Sequence, residues 1–245
     1  MRADAFLAAA EALPFGEFDA IARGRGLVVL APHPDDESLG CGGLIAEACA
    51  RGASVRVVVL SDGTGSHPNS PSHPPDCLRT VRERETVEAA RALGLEAEHV
   101  RFLRLADRFV PSDGTEAAIA ADRIADMARE CEAGTILATW RHDPHCDHAA
   151  TAAIARLVCR RLPTIRLLAY PVWGWALPPA TEVGRAPRGL RLDISRHAEA
   201  KRSAVAAHRS QTSGLIADDP AGFRLDEAML AQFSRTFEIY LEVEE

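Results

Sequence analysis

Short apolar runs alternate with longer amphipathic stretches from about residue 26 almost to the end of the chain. Residues 27–31, Leu-Val-Val-Leu-Ala, are too few for a helix and rich in valine, which predicts a buried strand. Similar runs predict strands over 54–60, 99–103, 135–139 and 165–170, with a shorter one at 190–194. Between them, 3.6-residue periodicity predicts helices over 39–50, 78–93, 115–130, 149–161 and 196–208, with Gly94 as a stop signal for the second. A short helix near Glu227 and an alternating strand over 236–243 follow. Strands joined through helices pair in parallel by right-handed crossovers. The expected fold class is therefore α/β: a Rossmann-like, open, mostly parallel sheet with helices on both faces. The expectation is one domain over 1–245, with its core at about 26–211. Residues 1–24 read as a helical extension broken at Pro14-Phe15-Gly16, and 212–245 as a C-terminal helix and strand.

Composition narrows the function. With 47% apolar residues the chain can build a sizeable core. A net charge of −7, no basic block and 5% aromatics argue against a nucleic-acid partner. No stretch reaches the ~18–20 apolar residues of a membrane span. The Ala-rich start is interrupted by Asp4 and Glu11 and lacks a signal peptide's apolar region, so the expected location is the cytoplasm. Six cysteines show no C-x-x-C spacing, and most read as small apolar residues; only Cys41 and Cys146 fall near the chemical motifs. Residues 61–76, with four prolines and two histidines, read as an irregular loop, functional or mobile.

Two polar clusters stand at strand ends. His33-Pro34-Asp35-Asp36-Glu37 directly follows the first strand, and its crowded carboxylates call for a cation. His142-Asp143-Pro144-His145-Cys146-Asp147-His148 packs three histidines and two aspartates between a strand and a helix. In a parallel sheet both lie on the same rim, where open α/β sheets bind ligands. Alone, an acid pair at a helix start reads as a cap and a lone histidine as structural. Two such clusters at equivalent ends favour a metal site. His33, Asp36 and His148 give a two-histidine, one-carboxylate set with an open position, the catalytic arrangement of zinc. Zinc would bring a water's pKa toward ~7 and polarise a carbonyl. Asp35 is placed to take the water's proton, and His145 to steady an oxyanion or pass a proton to a leaving amine.

The run Ala31-Pro32-His33-Pro34-Asp35-Asp36-Glu37, followed by Gly40-Cys41-Gly42-Gly43, resembles the opening motif of the PIG-L-like (LmbE-like) zinc-dependent N-deacetylases. His145-Cys146-Asp147-His148 is similar to that family's His-Pro-Asp-His motif, with Cys146 where proline is usual. Ser61-Asp62-Gly63, Arg82, Glu85 and Ala207-His208-Arg209-Ser210-Gln211 extend the likeness over about residues 26–211. The resemblance implies an LmbE-like fold and hydrolysis of an N-acetyl or other N-acyl amide on an amino sugar or sugar conjugate, such as an N-acetylglucosamine derivative. It implies His33, Asp36 and His148 as ligands of Zn2+ or another divalent ion such as Fe2+, Asp35 as general base and His145 as the polarising or proton-donating histidine. Arg82, Glu85, His208 and Gln211 become candidate substrate contacts. The expected partner is a small N-acylated sugar or conjugate, with a homo-oligomer also compatible.

Two other readings stay open at this point. One keeps the metal but cleaves a different bond, an ester or a non-sugar or thiol-conjugate amide. The other is a non-catalytic small-molecule binder, suggested by Gly40, Gly42 and Gly43 after a strand, although their spacing is not G-x-G-x-x-G. Trp173 and Trp175, in the loop at 171–190, could face a sugar ring or simply pack that loop down.

Overall fold

The computed structural model describes residues 1–243. In chain order it contains α1 (Ala3–Glu11), β1 (Phe15–Gly16), α2 (Phe18–Ala22), β2 (Gly26–Ala31), α3 (Asp36–Ala50), β3 (Val55–Ser61), α4 (Pro75–Ala92) and β4 (Val100–Leu105). Then follow α5 (Gly114–Glu130), β5 (Ala133–Thr139), α6 (Cys146–Arg161), β6 (Arg166–Tyr170), β7 (Gly189–Asp193), α7 (Ala198–Ala207), α8 (Arg209–Thr212), α9 (Glu227–Phe233) and β8 (Phe237–Glu242). One sheet holds all eight strands in the order β1-β7-β8-β6-β5-β2-β3-β4. The stretch from β6 to β4 is parallel throughout. β8 runs antiparallel between β6 and β7.

Every residue of β2 is buried, as its unbroken apolar run requires of a strand covered on both faces. Leu27, Val29 and Ala31 enter the core beneath α3 and α4, while Val28 and Leu30 enter the core beneath α5 and α6. The α/β expectation holds. Four elements differ locally from these expectations. Pro14-Phe15-Gly16 is more than a break: Phe15 and Gly16 form an edge strand parallel to Arg191 and Leu192 of β7. α4 starts earlier than expected because Pro75 takes a first-turn position, where its missing N–H costs nothing. α3 and α6 begin at Asp36 and Cys146, ahead of the apolar periodicity, and so carry Asp36 and His148 in their first turns.

Candidate active site

β2 pairs with β3 on one side and β5 on the other, so the segments leaving β2 and β5 diverge at a topological switch point. The first segment delivers His33, Asp35 and Asp36, and the second delivers Asp143, His145, Asp147 and His148. Asp36 opens α3, where the helix dipole favours a carboxylate. Its Oδ2 accepts the backbone N–H of His33 at 3.0 Å and lies 3.2 Å from His33 Nδ1 and 3.3 Å from His148 Nε2. On the other side of the His148 ring, Nδ1 donates to Asp143 Oδ2 at 2.9 Å. The Asp143 carboxylate also accepts backbone N–H groups of Val172 (2.9 Å), Trp173 (3.1 Å) and Gly174 (2.7 Å). It thereby ties the second cluster to the loop after β6.

His33 Nε2 faces Asp147 Oδ2 at 3.1 Å and Asp107 Oδ1 at 3.4 Å. Asp147 is itself fixed by the backbone N–H groups of Arg108 (2.7 Å) and Val110 (3.2 Å), and Asp107 by that of Gly65 (2.8 Å). Burial works against charge on His33, but the carboxylates of Asp107, Asp147 and Asp36 outweigh it and hold the imidazole well above its usual range. The same contest at His148, with Asp36 and Asp143 as the acids, carries it up to about 9. Asp36 is pushed up by burial and pulled down further by His148 and His33, ending well below the usual carboxylate range.

Asp36 Oδ1 and His148 Nε2 are buried and lack a hydrogen-bond partner among the described residues. Buried polar atoms are rarely left so. A carboxylate-oriented imidazole with its second nitrogen free, beside a carboxylate with an open oxygen, is the donor set a divalent ion takes. Ring nitrogens of His33, His145 and His148 also lie within 4.8 Å of one another, and His33, Asp107 and Asp147 make a second close group. The residues fit a metal ion.

Asp35, His33 and His145 line a cleft of about 270 Å³, whose walls include Ser66, Arg82, Arg108, Trp173, Gln211 and Phe223. Burial pushes the Asp35 carboxyl up to about 6, against the downward pull of Arg82. The buried Arg82 guanidinium donates to Asp35 Oδ2 at 3.1 Å, Pro34 O at 2.9 Å and Gly63 O at 2.8 Å. It pins the acid and both loops around it. His145 Nδ1 accepts the backbone N–H of Asp147 at 3.2 Å, capping α6 and leaving Nε2 as the protonated nitrogen. Burial, then the charge of His33, lower the pKa of His145.

The remaining sequence candidates divide. Gln211 lines the cleft, and Arg82 lines it while holding Asp35. Glu85 is fully buried, accepting the backbone N–H and hydroxyl of Ser210 at 2.9 and 2.6 Å. His208 is buried with Nε2 3.0 Å from Glu37 Oε1 and 3.1 Å from Ser38 Oγ. Both brace the scaffold behind the cleft. Trp173 reaches the cleft and packs edge-on to Phe223, whereas Trp175 lies beneath the guanidinium of Arg235. Cys146 is exposed, with its thiol toward the Arg108 carbonyl and its pKa raised by burial and by Asp147. Gly40 and Gly43 are close-packing glycines: a Cβ would meet the Tyr170 ring at 2.1 Å and Ile194 at 2.4 Å. Asp107 was not flagged by the sequence, being a lone acid in a polar loop. Asp143 and Asp147 stood inside a recognised cluster without a distinguishable role.

Fold and crevice together define an α/β protein with a metal-competent His/Asp centre and an adjacent buried carboxylate open to a cleft. Residues 28–159, more than half of the chain, match the PIG-L family, described as GlcNAc-PI de-N-acetylase, and the chain belongs to this family of deacetylases. The chain is 26% identical over 208 residues to a probable N-acetyl-alpha-D-glucosaminyl L-malate deacetylase 2 of Bacillus cereus, covering 83% of this chain and 91% of that protein. It is 28% identical over 242 residues to a 1D-myo-inositol 2-acetamido-2-deoxy-alpha-D-glucopyranoside deacetylase of Rhodococcus opacus, covering 77% and 82%. Among solved structures, a conserved protein from Thermus thermophilus superposes with a TM-score of 0.63 at 27% identity, covering 90% of this chain and 95% of that one. Among the described residues no helix is long and apolar enough to cross a membrane.

Proposed function

We propose that this protein is a metal-dependent hydrolase that removes the N-acetyl group from an amino sugar or sugar conjugate such as an N-acetylglucosamine derivative. The observation that carries the reading is the Asp36 carboxylate set between His33 and His148, with open donor atoms on Asp36 and His148, beside Asp35 in the cleft. His33, Asp36 and His148 would hold the ion, Zn2+ or another divalent metal such as Fe2+. Bound there, it would polarise the amide carbonyl and acidify a water.

The chain's own groups do the rest. Asp35, oriented by Arg82, accepts the proton of the attacking water. His145 offers its Nε2–H to the oxygen that gains charge as the carbonyl is attacked, and its rigid cap geometry keeps that donor aimed. The proton taken by Asp35 is then available to the departing amine, so that amine and acetate leave. Trp173 and Phe223 offer an apolar wall for a sugar face, while Arg108, Ser66 and Gln211 offer polar partners for hydroxyl groups. The two curated relatives bear names of deacetylases of N-acetylated glucosamine conjugates, which supports this substrate class.

The test is amine release by the zinc-loaded protein from N-acetylglucosaminyl conjugates, N-acetylated simple sugars and non-sugar amides, with Asp35→Asn and His148→Ala alongside. Release from a glucosamine conjugate that is lost in both variants supports the reading. Release confined to non-sugar amides overturns the substrate class, and full turnover by Asp35→Asn removes Asp35 from its role.

A further inference from the structure

A second cavity, of about 200 Å³, lies behind the second cluster and shares no lining residue with the catalytic cleft. Its floor is apolar: Phe6 stacks on Trp140 with ring centroids 4.8 Å apart, and Leu241 of β8 closes it. Its walls carry Arg141, Arg156, Arg185 and Arg188, together with His142. In a chain of net charge −7, none of these four arginines has a carboxylate partner within ion-pair distance among the described residues. The one acid in the wall, Glu242, is already paired with Arg166 at 3.1 Å.

We infer that this cavity is a binding site for a small organic anion, a phosphate or carboxylate carried on an apolar body, distinct from the deacetylase centre. Guanidinium groups recognise phosphate and carboxylate oxygens in paired fashion, and several converging on one anion exceed what a single surface arginine offers. The stacked Phe6–Trp140 floor gives the apolar part of the ligand a place out of water. Arg141 Nε donates to His142 Nε2 at 2.9 Å, which makes the ring neutral and its Nδ1–H a further donor. Among the described residues no ion pair offsets the charge of these arginines. Burial, then the charge of Arg141, press Arg156 below the usual guanidinium range, and burial with Arg141 and Arg156 lower His142. A bound anion would relieve both. The wall residues 139–142 also lead directly to Asp143, so the site is one residue away from the group that orients His148.

The test uses the full chain with phenyl phosphate and inorganic phosphate as probes, followed by calorimetry and by thermal melting. We expect saturable binding, tighter for phenyl phosphate than for phosphate, and weaker by roughly tenfold or more in Arg156→Met, as loss of a charge-assisted contact implies. Arg156→Met keeps the half-buried stem, so its own melting temperature in plain buffer should match or exceed that of the parent. His148→Ala should bind phenyl phosphate as the parent does. Binding that survives Arg156→Met, or disappears in His148→Ala, would place the anion elsewhere and overturn the inference.

Discussion

Asp143 holds more of the site together than any catalytic candidate does. Its two oxygens meet four donors: the Nδ1–H of His148 and the backbone N–H groups of Val172, Trp173 and Gly174. An asparagine there has one acceptor oxygen, and its amide would set N–H against N–H at one or more of these contacts. Asp143→Asn should therefore loosen the His148 ring and weaken metal binding by roughly 10- to 100-fold, the usual cost of losing such a supporting contact. Competition against a chromophoric zinc chelator reads this directly, and an unchanged affinity would remove Asp143 from that role. Legibility at this scale follows sequence locality. His33, Asp35, Asp36, His145 and His148 could be read because polar, metal-competent residues crowd into short turns after apolar strands. Asp107 could not, since its value comes from facing His33 out of a different loop far along the chain, a pairing that no local pattern encodes.

At the scale of elements, α3 shows how the glycines after the first motif serve packing. Gly40 lets the helix approach β6 until Tyr170 occupies the space a side chain would need. That ring is fully buried and is held by its hydroxyl, which donates to Leu30 O at 2.7 Å. Gly40→Ala places a methyl 2.1 Å from the ring and should cost about 1–3 kcal/mol of stability, readable as a lower urea midpoint at unchanged m-value. A neutral outcome would mean that Tyr170 moves aside freely.

The loop at 61–76, expected from its prolines to be functional or mobile, is latched. Asp218 accepts the Ser70 hydroxyl at 2.6 Å and the Ser72 N–H at 2.8 Å, and Asp219 accepts the Asn69 N–H at 2.9 Å. The Ser70 hydroxyl, then the Ser72 N–H, hold the Asp218 carboxyl down at about 2. A depressed folded-state value means the latch contributes fully above the ordinary carboxylate range and is lost only as pH falls through about 2. Amide exchange at residues 69–73 should accordingly keep the same protection, after correction for intrinsic rates, at pH 5 and at pH 7. Asp218→Ala should lose that protection while the melting temperature stays nearly constant, because the group is exposed. Equal protection in the variant would show that Asp219 alone holds the loop.

Across the whole molecule, the parallel half of the sheet was legible because its strands are short, mostly apolar segments with the helices α3, α4, α5 and α6 between them. In the other half the strands β7 and β8 were legible at 190–194 and 236–243, but β1 and the order of pairing were not. β1 is only two residues long, and β8 joins the sheet between β6 and β7 through pairings far apart in sequence. Within the parallel half, the switch-point crevice gathers carboxylates and histidines from the segments after β2, β4 and β5 without a full set of mutual hydrogen bonds. A folded chain that leaves Asp36 Oδ1 and His148 Nε2 open should gain stability from any ion that takes them. An unfolded chain offers no such site, so binding adds RT ln(1 + [L]/Kd), about 2.7 kcal/mol at a hundredfold excess over Kd. Stripping the protein with a chelator should therefore lower its melting temperature, and stoichiometric zinc should restore it. His148→Ala should melt at one temperature with or without zinc, since the remaining groups no longer close the set. If zinc raised the melting temperature of His148→Ala as much as that of the parent, the stabilising ion would sit elsewhere, and the Asp36–His148 pair would be only an acid and a histidine held in the core.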